Sequence, residues 1–190
     1  MDALEAIRNR RTAHAYEPST ISDTDLREAL EAALLAPNHK LTFPWKFIVV
    51  GPEGRQALKE QKKQEALAKR ANPPTESEKA MMAERLQERM LNPAALVAFC
   101  CAKHDDDFRQ REDYATVACG IQNFSIALAA KGFQSKWGTG RVSRSAETYE
   151  LLKVNPDEYE IVGFLWVGHI KGELPEQRRP NLDDVLEFRP

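Results

Sequence analysis

The first residues with a possible chemical role are two basic groups at opposite ends of the chain. One is Arg10-Arg11-Thr12, where a short helix is expected to end, and the other is Arg178-Arg179. Each arginine presents a rigid fork of N–H donors that matches phosphate oxygens, and the threonine hydroxyl adds a further donor. Each group suits a phosphate, and one hypothesis is that both close on the same anion. Cations that only stabilise a helix C-terminus, or a solvated charge run in the tail, are the alternatives.

A polar loop between two prolines is the second candidate. The segment Ala36-Pro37-Asn38-His39-Lys40 leads to Pro44-Trp45-Lys46-Phe47 and an apolar run over 48–50. The first proline ends a helix and frees backbone donors in the loop, and His39 can donate a hydrogen bond near neutral pH. This pattern is typical of the rim of a ligand site. The alternative is a histidine satisfied within a surface turn, and Trp45 is interpreted as core filler.

A turn with two glycines, Trp137-Gly138-Thr139-Gly140, is the third candidate. Glycine lets backbone N–H groups approach a flat ligand because no Cβ stands in the way. The turn is neither a G-x-G-x-x-G fingerprint nor a P-loop, and the order of residues gives no Ser-His-Asp or Cys-His grouping. Three carboxylates elsewhere are interpreted as solvated acids: Glu17, Glu112 and Asp113.

The composition sets limits on the class of protein. The 190 residues suit a single domain over 1–190, and a formal net charge of −2 gives no general attraction to nucleic acid or an anionic membrane. No apolar run approaches the ~20 residues that span a bilayer. The three cysteines, Cys100, Cys101 and Cys119, are odd in number, and two of them are adjacent. They predict buried thiols in a reducing compartment, the cytoplasm, and no metal-ligand spacing is present.

The elements that must position these residues follow from apolar periodicity. Strands separated by helices predict a layered α/β arrangement of the α+β type. The expected helices cover 2–9, 22–36, two stretches within 55–92 and 113–130, and the expected strands cover 44–50, 94–101, 133–137 and 161–167.

Two segments stand apart from this core. The helical excursion over 52–92 is rich in Lys, Glu, Gln and Ala, and it is either a solvated pair of helices resting lightly on the core or a mobile lid. The tail over 171–190 is polar at first and then gains apolar side chains. Those side chains need a surface to dock on, and a second subunit is the expected one.

The order and spacing of these pieces resemble the FMN-dependent nitroreductase superfamily, in its compact NAD(P)H nitroreductase branch. The resemblance implies a nitroreductase-like fold with a central mixed sheet flanked by helices. It also implies an interlocked homodimer with FMN at the interface. The matching pieces are Arg10-Arg11-Thr12, Ala36-Pro37 followed by Pro44-Trp45-Lys46-Phe47, the segment 132–140, Gly163 and Arg178-Arg179-Pro180.

The resemblance also implies roles for individual residues. Arg10, Arg11 and Thr12 would hold the FMN phosphate and ribityl chain, and Arg178 or Arg179 would add charge. The loop residues Asn38, His39 and Lys40 would reach the flavin from the other subunit. The backbone of Trp137, Gly138 and Thr139 would line the isoalloxazine, and Lys131-Gly132 is the expected docking point for NAD(P)H.

The chain departs from the family pattern at four positions. Thr12 replaces the usual Ser, and His14 replaces an Arg that would also lie at the cofactor. Leu41 and Phe43 stand where polar amides are usual. Ring recognition is therefore expected to depend more on His39, in a more apolar pocket.

The implied activity is that of an oxidoreductase with alternating half-reactions. Hydride passes from NADH or NADPH to the FMN N5 atom, and an electron-poor acceptor such as a nitroaromatic or quinone is then reduced. The cofactor carries the chemistry, so no protein acid or base is required. The alternatives are another reaction on the same flavin fold, such as flavin destruction or dehalogenation, and a non-catalytic flavin- or partner-binding module.

Overall fold

A four-stranded sheet forms the centre of the computed structural model, which describes residues 2–174 and 176–189. Its strands lie in the order β1-β2-β4-β3, and each neighbouring pair is antiparallel. The expectation of a mixed sheet is therefore wrong for these four strands; parallel pairing occurs at an isolated bridge between Thr12 and Ser135. The strands are β1 (Trp45–Val49), β2 (Ala95–Ala102), β3 (Gln134–Gly138) and β4 (Tyr159–Gly168).

Helices cover both faces of the sheet, so the expected α+β class is confirmed. They are α1 (Ala3–Asn9), α2 (Asp23–Leu34), α3 (Pro52–Ala68), α4 (Glu76–Leu86), α5 (Asp107–Ala130) and α6 (Ala146–Leu152). A π-helical turn, Gln87–Leu91, follows α4, and short 3₁₀ turns cover His39–Leu41, Arg141–Arg144 and Leu182–Asp184.

Capping explains where several helices begin. The Ser22 hydroxyl accepts a hydrogen bond from the Asp25 N–H at 3.0 Å, which starts α2 as the sequence predicts. The helix α5 begins six residues earlier than expected, because the Asp106 carboxylate accepts from the Arg109 N–H at 2.8 Å. The sequence reading missed α6 altogether, and its N-terminal cap is Ser145.

Apolar side chains form one core on each face of the sheet. On one face α2 and α5 pack over β2 and β4, and Trp45 packs at the edge of that core, in line with its interpretation as filler. On the other face the core contains Leu58 from α3 and Met90 from the π turn, which are 1% and 4% exposed. The base of the 52–92 excursion is therefore anchored in the core, whereas α4 has no buried residue.

The C-terminal tail is exposed over its described length except at Gln177, which is partly buried. Its apolar side chains reach solvent in this single chain, and Phe188 is 91% exposed. Others are Leu182, Val185 and Leu186. Such side chains gain free energy when another surface covers them, so docking of the tail on a second subunit stays a prediction.

The three cysteines are free. Cys100 and Cys101 are buried as expected, whereas Cys119 on α5 is exposed, so the prediction of a buried thiol is wrong for that residue. Burial raises the pKa of the Cys100 thiol to about 11 and that of Cys101 to about 12, so both are inert neutral thiols. None of the helices in the described part of the chain has the length and apolar character needed to cross a bilayer.

Candidate functional site

The N-terminal basic segment is fixed against strand β3. The Arg11 N–H donates to the Gln134 side-chain oxygen at 2.8 Å, and the Gln134 amide nitrogen donates to the Asn9 carbonyl at 3.2 Å. The bridge from Thr12 to Ser135 extends this contact along the strand. The sheet edge thus holds the backbone of two of the three predicted phosphate ligands, Arg11 and Thr12.

The C-terminal basic segment meets the N-terminal one, as the sequence predicts. The Gln177 amide donates to the Arg10 carbonyl at 2.7 Å. Burial lowers the pKa of Arg10, and the nearby charges of Arg179 and Arg11 lower it further. The Arg179 guanidinium also donates to the Arg178 carbonyl at 2.8 Å. We call Arg10, Arg11 and Arg179 the arginine cluster; it concentrates positive charge at one place.

A cavity of about 370 Å³, here called the β3 cavity, lies on the same side of strand β3 as the core around Met90. Its lining includes the predicted residues His14, Gly138 and Thr139. A Cβ at Gly138 would come within 2.5 Å of the Trp166 ring, so glycine is required for this indole to form the wall. The full lining is His14, Tyr16, Lys62, Leu86, Arg89, Met90, Lys136, Gly138, Thr139, Gly140 and Trp166.

Positive charge dominates the β3 cavity. Burial lowers the pKa of Lys136, and the charges of Arg89 and Lys62 lower it further. The pKa of His14 is lowered by burial and then by Lys136 and Arg89. Among the residues that the structure describes, no carboxylate lines the cavity. A cluster of cations without a lining carboxylate has the electrostatics of a site for an anion.

Sequence reasoning missed Lys62, Arg89 and Lys136. A signal existed for Lys136, since a lysine in the middle of a predicted strand is unusual when that strand lies next to the core. The other two lie on the 52–92 excursion, and only tertiary packing brings them to strand β3. The wall also contains the Trp166 indole N–H, a buried donor with no acceptor among the described residues.

The loop after α2 has a different electrostatic character. The His39 Nδ1 lies 2.8 Å from both carboxylate oxygens of Glu112. The Thr42 hydroxyl donates to the carboxylate of Asp113, which is buried, at 2.5 Å. The interpretation of these two carboxylates as solvated acids is therefore wrong.

Local hydrogen bonds shape this loop. The Asn38 amide donates to the Thr42 hydroxyl at 2.8 Å, and its oxygen accepts from the Phe43 N–H at 2.9 Å. Lys40, Leu41 and Phe43 have φ values of 57°, 53° and 49°, a left-handed conformation that is uncommon outside glycine. The side chains of Leu41 and Phe43 are exposed, at 67% and 66%.

The structure does not bring all predicted residues into one cavity of this chain. His39 and Lys40 line a separate cavity of about 360 Å³ beside α5, which shares no lining residue with the β3 cavity. Trp137 does not line either cavity and is 39% exposed. The predicted phosphate ligands also line neither cavity: Arg10, Arg11, Thr12, Arg178 and Arg179. The loop would need a second subunit to face the β3 cavity, as the resemblance implies.

The predicted nicotinamide docking point, Lys131-Gly132, lies at the end of α5. The Lys131 ammonium lies 2.6 Å from the carboxylates of both Asp25 and Glu28. Gly132 has a φ of 84° and supplies the left-handed residue after the helix. Both have roles within the fold, and neither lines the β3 cavity; docking of NAD(P)H there stays a prediction.

The model of the Nitroreductase family matches residues 7–169, so the chain belongs to that family. The protein "Putative NAD(P)H nitroreductase YdjA" of Escherichia coli K12 is 30% identical over 189 residues, which cover 99% of this chain and 98% of that one.

Solved structures agree on the fold. A nitroreductase-like family protein from Bacillus cereus superposes with a TM-score of 0.79 at 24% identity, covering 99% of this chain and 96% of that one. A nitroreductase with bound FMN from Bacteroides fragilis superposes with a TM-score of 0.73 at 22% identity and covers both chains fully. The expected nitroreductase-like fold is confirmed.

Proposed function

We propose that this protein is an FMN-dependent oxidoreductase that takes hydride from NADH or NADPH and reduces an electron-poor acceptor, a nitroaromatic or a quinone. The single observation that carries the proposal is the charge of the β3 cavity. Three of its lining side chains are cations, namely Lys62, Arg89 and Lys136, and none of the described lining residues is acidic. The lowered pKa of the fourth basic group, His14, favours its neutral form. Membership of the Nitroreductase family and the FMN in the Bacteroides fragilis structure support the choice of cofactor.

The residues present fit FMN. Its phosphate is a dianion near neutral pH, and the arginine cluster, where burial and neighbouring cations depress the pKa of Arg10, supplies the complementary charge. Its ring is flat, and the Gly138-Thr139-Gly140 turn with Trp166 gives a wall that a flat group can approach closely. Arg10, Arg11, Thr12 and Arg179 would hold the phosphate and ribityl chain, with Arg178 adding charge nearby.

When bound, FMN supplies the hydride-accepting and electron-donating chemistry. The protein's part is orientation and electrostatics. The cations of the β3 cavity favour reduction of the bound ring, because they stabilise the negative charge that reduction adds. We assign no protein acid or base to the reaction.

We propose that the working unit is a homodimer with FMN at the subunit interface. The exposed apolar side chains of the 171–190 tail support this, since a partner surface would bury them. In this arrangement the loop at Asn38, His39 and Lys40 reaches the flavin of the other subunit. The His39–Glu112 pair supports a recognition role, because it leaves the imidazole Nε2 to face a ligand.

The protein is proposed to work in the reducing cytoplasm, where its free thiols stay reduced. It forms one nitroreductase-like domain over 1–190. Its 52–92 excursion acts as a lid over the β3 cavity, to which it contributes Lys62, Leu86, Arg89 and Met90.

Absorption spectroscopy of the purified protein tests the proposal most directly. We expect a yellow protein, or one that takes up added FMN in a 1:1 ratio per chain, and that oxidises NADPH or NADH when a quinone is present. A protein that remains colourless and binds no added FMN would overturn it. Bleaching of the flavin instead of acceptor reduction would favour the flavin-destroying alternative.

A further inference from the structure

A second cavity adjoins the β3 cavity. It is a groove of about 430 Å³ between α3 and α4, here called the α3–α4 groove. The two cavities share the lining residues Lys62, Leu86 and Arg89, so a ligand that occupies one can extend into the other. The remaining lining is Glu65, Ala66, Lys69, Arg70, Glu78, Met81, Met82 and Arg85.

The two carboxylates of the groove are already engaged. Glu65 lies 2.9 Å from the Lys69 ammonium and 3.3 Å from that of Lys62. Glu78 lies 2.5 Å from the Arg70 guanidinium and accepts from the Thr75 N–H at 2.7 Å. The Thr75 N–H bond and then Arg70 lower the pKa of Glu78 to about 2, so it stays ionised and bound at the start of α4.

Two arginines of the groove have no such partner. Within the residues that the structure describes, Arg85 and Arg89 form no ion pair with a carboxylate. They are four residues apart, a spacing that puts side chains on the same side of a helix. Positive charge without a counter-charge therefore runs from the β3 cavity into the groove.

The floor of the groove is apolar and adaptable. Ala66, Met82 and Leu86 are partly buried there, and Met81, which is 59% exposed, lies at its margin. Methionine side chains accommodate flat aromatic groups, and a guanidinium can stack on such a ring. An apolar floor with an arginine rim matches a purine nucleotide that carries an additional phosphate.

We propose that the α3–α4 groove binds the adenosine 2′-phosphate half of NADPH, with Arg85 as the residue that contacts the 2′-phosphate. The proposal rests on the proposed function and deepens it. It predicts that NADPH is preferred to NADH as the electron donor, because only NADPH carries the group that neutralises Arg85. Arg89, at the junction of the two cavities, is then available for the diphosphate of either nucleotide.

Calorimetric titration of the FMN-loaded protein with NADP⁺, NAD⁺, adenosine 2′,5′-bisphosphate and AMP tests the assignment without any turnover. We expect Arg85→Gln to weaken the binding of NADP⁺ and of the bisphosphate by about tenfold, the effect of one charge-assisted contact at an exposed site. The affinities for NAD⁺ and AMP should change less than twofold. Arg85→Lys should recover part of the loss, and Arg27→Gln, which removes an exposed arginine of α2, should change nothing.

Equal binding of NADP⁺ and NAD⁺ by the unaltered protein would overturn the proposal. Equal weakening of NADP⁺ and NAD⁺ binding in Arg85→Gln would also overturn it, because Arg85 would then act only through the general positive charge of the groove. A separate kinetic experiment compares 4-nitrobenzoate with uncharged nitrobenzene as acceptors. If Arg85→Gln raises the KM for 4-nitrobenzoate alone and leaves NADP⁺ binding intact, the groove binds the acceptor and the assignment is wrong.

Failure of the proposed function is separable from this result. Binding of FMN and oxidation of NADH are measured on the same preparation, and neither depends on Arg85. A protein that binds FMN and oxidises NADH but shows no preference for the 2′-phosphate contradicts only the groove assignment.

Discussion

The β3 cavity and the loop at His39 are both rich in basic groups, but they differ in what lies opposite those groups. In the loop, a Glu112 carboxylate oxygen lies 2.8 Å from the His39 Nδ1. In the β3 cavity, burial and the charges of Arg89 and Lys62 lower the pKa of Lys136, and those two charges repel it. The loop histidine therefore has a counter-charge within the protein, whereas the cavity lysine has only other cations acting on it.

This difference teaches how to separate orienting charges from binding charges. A half-buried cation among other cations raises the free energy of the folded chain. Such an arrangement is expected where a bound anion stabilises the cation and offsets that free energy. A paired histidine has its tautomer and direction set by its partner. We therefore expect substitutions in the two regions to have effects of different size and sign.

The largest effect is expected in the arginine cluster. Arg10→Ala removes charge-assisted contacts to a phosphate and should weaken FMN binding about a hundredfold, equivalent to ~3 kcal/mol. The melting temperature of the flavin-free protein should change little, because Arg10 is repelled by Arg179 and Arg11. Fluorescence titration of the flavin-free protein with FMN measures the first effect, and calorimetry measures the second. Equal losses in affinity and stability would mean that Arg10 only stabilises the end of α1.

Lys136→Met is expected to act in opposite directions on binding and stability. It should weaken FMN binding about tenfold and raise the melting temperature of the flavin-free protein by ~2–4 °C, because it relieves burial and repulsion of a cation. The matched control is Lys131→Met, which removes a lysine paired with Asp25 and Glu28. The control should leave FMN affinity unchanged and should not raise the melting temperature. A fall in the melting temperature of Lys136→Met would remove the distinction between the two regions.

Glu112→Gln should have a smaller effect, and only on turnover. Loss of the carboxylate frees His39 to change tautomer and direction, so kcat/KM should fall about two- to fivefold, while FMN affinity and stability are kept. The same substitution in a His39→Gln background should have no further effect. An equal fall in both backgrounds would show that Glu112 does not act through His39.

The smallest effect concerns pH. Burial and the charges of Lys136 and Arg89 lower the pKa of His14 below its ordinary value of 6.5. Above pH 6.5 the imidazole is mostly neutral in both the folded and the unfolded chain, so the stability that depends on neutral His14 is fully present there. The contribution is lost as the pH falls below 6.5 toward the folded-state pKa. His14→Gln should reduce the loss of melting temperature between pH 7 and pH 5 by ~1 °C in the flavin-free protein, since a mostly exposed group is screened. Nuclear magnetic resonance should show the pKa of His14 rising when FMN binds, and a fall would contradict an anion nearby.

Local sequence signals predicted the sheet and most helices well. The apolar runs at 44–50 and 94–101 are strands, and Ser22 begins α2 as a capping residue should. The signal failed where a short helix depends on its neighbours. In α6, the buried Thr148 hydroxyl donates to the Gln61 side chain of α3, a contact between segments distant in the sequence.

The candidate site was predictable only in part, for the same reason. The arginine cluster and the Gly138 turn carry recognisable residue types, so the sequence identified them. Lys62 and Arg89 look like ordinary solvated charges, because nothing local indicates that α3 and the π turn lie against β3. The sequence also gave no sign that Glu112 would face His39, 73 positions away.

The Arg55 side chain has a consequence for how the excursion can move. Its guanidinium donates to the Met90 carbonyl at 3.2 Å and to the Leu91 carbonyl at 2.7 Å, and it also reaches the Pro93 carbonyl. These bonds join the first turn of α3 to the chain just before β2, so they hold the two ends of the helical excursion together. In the proposed lid, these bonds favour a pivot near Arg55, with the largest displacement in the connection over 69–75.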